Sequence, residues 1–130
     1  MSDFKTFLEK TRRAAASAFV RGDASKVNAL STESGTATFF DPGGRLTKGA
    51  SAISEANTKG AAHFGAGSTT TLEFLDEGSS GDLAFWTGYQ HADVEIEGKS
   101  QHMTLRITEV FRRVDGEWKM VHRHASKAAD

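Results

Sequence analysis

The dipeptide Asp115-Gly116 constrains this chain more than any other feature. A two-residue Asp-Gly loop between alternating apolar segments is the strongest short-range hairpin signal, because its backbone needs the positive φ that these residues tolerate. It sets the register of the strands on either side. Val114 faces Glu117, and the pairs run back as Arg113 with Trp118, Phe111 with Met120, Glu109 with His122, Ile107 with His124 and Leu105 with Ser126. Side chains alternate along a strand, so Leu105, Ile107, Glu109, Phe111, Trp118, Met120, His122 and His124 are predicted to share one face. The other face takes Arg106, Arg112 and Arg123, which a one-residue slip would bury. A second turn at Gly98-Lys99 places Trp86, Gly88 and Gln90 on the first face, beside Phe111, Glu109 and Ile107.

Upstream, the periodicity changes. Phe4, Phe7, Leu8, Ala15, Ala18 and Phe19 fall at helical spacing with Thr11 filling the gap, and Gly22 ends that helix. Asp23 is an expected N-cap for a short helix carrying Val27 and Leu30. Thr36 to Phe40 is β-prone and runs into the turn Asp41-Pro42-Gly43-Gly44, and a third helix is expected from about Ala50 until Gly65-Ala66-Gly67. From Thr69 onward the pattern is strand: Thr69 to Asp76, a turn at Glu77 to Gly81, Leu83 to Glu95, Gln101 to Arg113 and Trp118 to Ser126. Helices followed by a long meander predict one α+β domain over residues 1–130, with three N-terminal helices covering one face of a curved antiparallel sheet.

Composition narrows the function classes. With 16 basic against 17 acidic residues, the chain has no surplus charge to neutralise a phosphate backbone, so no nucleic-acid partner is expected. Cysteine is absent, which excludes disulfides, thiolate catalysis and zinc–cysteine sites. Apolar runs are too short to span a membrane. Arg12-Arg13 before Ala14 to Val20 has a faint twin-arginine look but reads as helix, and a cytoplasmic location is expected.

A largely apolar concave wall with a few convergent polar groups is how small-molecule pockets are built. Glu109 opposite His122 is an expected hydrogen-bonded pair able to exchange protons near neutral pH. Trp86, Gln90, Ile107, Phe111, Met120 and His124 are the expected ligand-binding wall. Two histidines spaced by one, with a carboxylate, have the donor types of a metal site. His91 and His102 fall on the opposite face, however, and no metal or organic cofactor is expected. The outer face, with Arg106, Arg112 and Arg123 beside Tyr89, Val110 and Val121, is the expected surface of a homodimer.

The segment from Thr108 to Ser126, with the Gly22-Asp23 break, the strand into Asp41-Pro42 and Gly49 before the third helix, resembles SnoaL-like domains. These belong to the nuclear transport factor two-like (cystatin-like α+β cone) superfamily, which includes ketosteroid isomerases. The resemblance implies a cone-shaped fold and a range of functions from isomerase, cyclase or dehydratase to non-catalytic ligand-binding or oligomer-assembly domain. It also implies a general base at Asp41 and a pocket acid at Glu109. The isomerases' oxyanion tyrosine on the first helix has no counterpart, Ala16 standing nearest, so related acid–base chemistry on a small apolar molecule is implied rather than steroid isomerisation.

Overall fold

The computed structural model describes residues 3–129. A helical arm runs through α1 (Asp3–Phe7), a π-turn (Leu8–Arg12) and α2 (Arg13–Phe19). Its buried stripe is Phe4, Leu8, Arg12, Ala15 and Ala16. Arg12, not the exposed Thr11, therefore fills the gap between the apolar turns. A π-turn widens the helix by one residue per turn, a feature that recurs at functional sites. Gly22, at φ +98°, turns the chain out of the arm. The Asp23 carboxylate then accepts the Ser25 amide (2.9 Å) at the start of α3 (Ser25–Leu30). The third helix, α4, spans Ala50–Ala61 and ends before the Gly65-Ala66-Gly67 break.

One six-stranded curved sheet has the order β2-β1-β6-β5-β4-β3. Its members are β1 (Thr38–Phe40), β2 (Leu46–Lys48), β3 (Thr69–Ser80), β4 (Leu83–Ile96), β5 (Lys99–Val114) and β6 (Glu117–Lys127). The meander β3 to β6 is antiparallel, but β1 joins β6 in parallel, and β2, which has no clear strand pattern of its own, is recruited by the Asp41 turn. Strand β3 continues through the expected Glu77 to Gly81 turn, leaving Gly81 and Asp82 as the two-residue connection.

Alternation is sharpest in β4, where Ala84, Trp86, Gly88, Gln90, Ala92 and Val94 are all buried. The Asp115-Gly116 turn sits as expected, with Val114 opposite Glu117 and Phe111 opposite Met120. Beyond that the register departs. Val110 pairs with His122, leaving Val121 as an unpaired bulge residue, and Glu109 meets Arg123, Thr108 meets His124 and Ile107 meets Ala125. A bulge puts two residues opposite one and reverses the facing of everything after it. Arg123 and Ala125 turn inward, and His122 and His124 lie beside Thr38 and Phe40. The β4–β5 register is also two residues from expectation, with Trp86 opposite Glu109, Gly88 opposite Ile107 and Gln90 opposite Leu105. An even shift keeps every side chain on its predicted face.

At one end of the concave face the space is filled by rings. Phe4 packs on Phe111 and Trp118, each at 5.4 Å between centroids, and Phe74 meets Trp86 edge-on at 4.8 Å. Burying each such side chain contributes roughly 1.5–3 kcal/mol. Gly88 lies where β3 bulges at Phe74/Asp76; a Cβ there would collide with the Glu73 carbonyl oxygen, so glycine serves the bend rather than making room for a ligand. No helix among the described residues is long and apolar enough to cross a membrane.

Candidate functional site

Where the rings end, a cavity of about 980 Å³ opens between α2, α3, α4 and strands β4 to β6. Its walls are largely apolar, with Phe19, Val20, Ile53, Phe64, Val94 and Met120 among them. The volume falls within the roughly 300–1,000 Å³ of small-molecule sites.

Polar chemistry is concentrated where the cavity meets the aromatic core. Glu109 has no exposed surface. Its Oε1 accepts from Arg12 Nε (2.8 Å) and Trp86 Nε1 (2.7 Å). Its Oε2 accepts from Arg12 Nη2 (2.9 Å) and from Arg123 Nη1. Four donors saturate the lone pairs of a carboxylate. Burial alone would push the Glu109 pKa up, but the charge and hydrogen bonds of Arg12, then Arg123 and Trp86, bring it down to about 2. Burial, with the neighbouring Arg12 charge, holds Arg123 below its ordinary value, and Glu109 offsets this only in part. Guanidinium groups stay protonated regardless, so two cations face one carboxylate and the cluster carries a net positive charge.

The arginines are held by more than this acid. Arg123 Nη2 donates to Gln90 Oε1 (2.9 Å), Gln90 Nε2 donates to Thr70 Oγ1 (3.1 Å), and the Thr70 hydroxyl donates to the His91 carbonyl (3.0 Å). Arg12, Gln90 and Arg123 all line the cavity. Arg12 Nη1 is buried and has no hydrogen-bond partner among the described residues. A buried orphan donor costs about 1–3 kcal/mol, more when charged, and native proteins rarely leave one without an unseen acceptor.

The expected site residues divide. Gln90, Met120 and His122 line the cavity. Trp86, Ile107 and Phe111 are buried on the predicted face but belong to the packed core beyond it. The Glu109–His122 pair does not form, because the Val121 bulge sets His122 opposite Val110 and brings Arg123 opposite the acid. His122 Nδ1 instead shares a hydrogen bond with Thr38 Oγ1 (2.8 Å). Burial and the neighbouring His124 push its pKa down, partly offset by Thr38 and Glu109. His124 is exposed beside Phe40. The Asp41 Oδ1 is engaged by its own turn, accepting from the amides of Gly43 (2.9 Å) and Arg45 (3.0 Å). Arg12 and Arg123 escaped the sequence reading. The signal for Arg12 was present, since it stands four residues from Leu8 and from Ala16, on the apolar stripe itself.

A family model described as SnoaL-like domain matches residues 8–130. No curated protein matches the chain. Among solved structures, a nuclear transport factor 2 (NTF2-like) superfamily protein from Salmonella enterica is 22% identical. That match covers 99% of this chain and 95% of the other, with a TM-score of 0.76. An NTF2-like protein from Pseudomonas putida KT2440 is 21% identical over 98% of this chain and 86% of its own, with a TM-score of 0.78. The CaMKII hub of S. rosetta is 22% identical over 95% of both chains, with a TM-score of 0.73. At these identities the likeness is one of fold.

Proposed function

The chain belongs to the SnoaL-like domain family, and from that premise we propose that its cavity binds a small, largely apolar molecule through an anionic group, in the first instance a carboxylate. The observation that carries this reading is the pair Arg12 and Arg123, two cations that both line the cavity and face a single carboxylate, Glu109. A carboxylate at the cavity wall would balance their surplus charge. The apolar walls would take the rest of the ligand. In this reading Glu109 is a positioning residue that fixes two guanidiniums, Asp41 serves its turn, and His122 stands at the cavity wall beside Thr38.

The test is calorimetric titration with decanoate and 1-decanol, which share a chain and differ in head group. Decanoate should bind at least about tenfold more tightly. An Arg12→Gln variant removes one of the two cations, and should lose most of that margin. Equal affinity for alcohol and acid would sink the proposal.

A second reading concerns the outer face, where Leu83 (51% exposed), Phe85 (38%) and Val114 (39%) lie in the open. Apolar surface of this kind, mixed with charges of both signs such as Glu73, Asp93 and Arg106, suits a second copy of the chain. The likeness to a hub domain supports self-association, and a homodimer is the form we propose. Sedimentation of the wild type and of Phe85→Asp tests it: a dimer that the variant converts to monomer is expected, and a monomeric wild type would rule it out.

A further inference from the structure

Across the cavity from the strands, α4 presents Ile53, Asn57 and Gly60 as one lining stripe at helical spacing. Asn57 is the polar member of this stripe, and its amide orientation is determined by a chain of hydrogen bonds. The Thr58 hydroxyl donates its single proton to the Ser54 carbonyl (3.1 Å). Its oxygen can then only accept, so Asn28 must offer it Nδ2 (3.2 Å). That turns Asn28 Oδ1 towards Asn57, which donates its own Nδ2 to it (3.1 Å). What remains on Asn57 is Oδ1, an acceptor with no partner among the described residues, and the second Nδ2 proton, on a half-buried side chain at the cavity wall. A hydroxyl, both donor and acceptor, can meet that set.

We infer that Asn57 is a specificity-determining residue and that the ligand is a hydroxylated carboxylic acid, its hydroxyl donating to Asn57 Oδ1. This rests on the anionic-ligand reading above. An acceptor locked in place favours a donor on the ligand and penalises bare hydrocarbon, since an amide oxygen facing apolar surface loses its water without replacement. The excess positive charge from Arg12 and Arg123 opposes an ammonium in the same enclosure, which leaves a neutral hydroxyl as the fitting donor. Both walls follow one design. On each, a hydroxyl committed to a main-chain carbonyl fixes an amide, Thr70 fixing Gln90 for Arg123 and Thr58 fixing Asn28 for Asn57.

The experiment is calorimetric titration of the full chain with decanoate and with its monohydroxylated positional isomers. At least one isomer should bind about three- to tenfold more tightly than decanoate, the worth of one neutral hydrogen bond. In Asn57→Leu that advantage should vanish, and decanoate, no longer facing an unpaired amide oxygen, should bind more tightly than to the wild type, which also reports an intact pocket. If Asn57→Leu fails to fold, Asn57→Ala takes its place under the same criterion. The inference is overturned if no isomer exceeds decanoate, or if the advantage survives in the variant. Decanoate binding with no preference for a hydroxyl removes this inference alone, whereas failure of decanoate itself removes the anionic reading and this one together.

Discussion

Arg123 stands directly across the β5–β6 ladder from Glu109 and donates to its Oε2, while Arg12 reaches the same carboxylate from the helical arm. One acid thus ties the first helix to the last strand. Removing either arginine leaves lone pairs of the buried carboxylate without their donors, whereas removing the acid leaves two cations facing each other. Breaking a buried pair of this kind costs about 3–5 kcal/mol. We expect Arg12→Ala to lose that much stability in urea melts, and Arg123→Ala to lose less, because Arg12 gives two of the four hydrogen bonds and Arg123 one.

Acid should uncover the same cluster. The Glu109 pKa falls from 4.5 to about 2 on folding, so its stabilisation is complete above the unfolded value and disappears as pH drops through the folded one. Stability should therefore decline between about pH 4.5 and 2, by on the order of 3 kcal/mol. In Glu109→Gln that acid-dependent step should be absent, although the variant starts less stable. Retention of the step in the variant would assign it to other carboxylates. The lowered His122 pKa has the same sign at higher pH, making a small contribution above about 6.5 that fades as the ring protonates.

Gly88 offers a steric test. A methyl group there meets the Glu73 carbonyl and lies 3.0 Å from the Leu75 amide, both of them backbone. Gly88→Ala should cost about 1–3 kcal/mol as β3 and β4 move apart. Thermal denaturation unchanged from the wild type would show that the strands yield freely at this point.

Asp41 separates turn chemistry from pocket chemistry. With both of its Oδ1 bonds made to backbone amides, Asp41→Ala should cost about 1 kcal/mol and leave ligand affinity unchanged. A large loss of affinity with unaltered stability would restore it to the site.

Much of this was legible in the sequence, and the exceptions have physical causes. Asp115-Gly116 yields the hairpin, and the alternation of Trp86, Gln90, Ile107, Glu109 and Phe111 yields the buried face even though the β4–β5 register is off by two. The bulge was invisible because Val121 to His124 reads acceptably in either parity, one choice burying histidines and the other an arginine. Net burial cost appeared to exclude the arginine, yet opposite charges at Glu109 and Arg123 offset it, and that cross-strand complementarity was the available clue. Arg12 was passed over for the same reason. A helix stripe is read by hydrophobicity, and a cation inside one makes sense only once its carboxylate, 97 residues away, is in view.

Val121 occupies the ladder without taking a partner. The chemistry of the strand beyond it therefore depends on a count of residues as much as on their identities. Were Val121 to take a partner, His122 and His124 would stand opposite Glu109 and Ile107 in place of Arg123 and Ala125, exchanging a guanidinium for an imidazole with no substitution at all; deleting Val121 would keep the present partners in an unbroken ladder. A fold with such a position can change what it recognises by absorbing its bulge, and relatives should be aligned on the bulge before their pocket residues are compared.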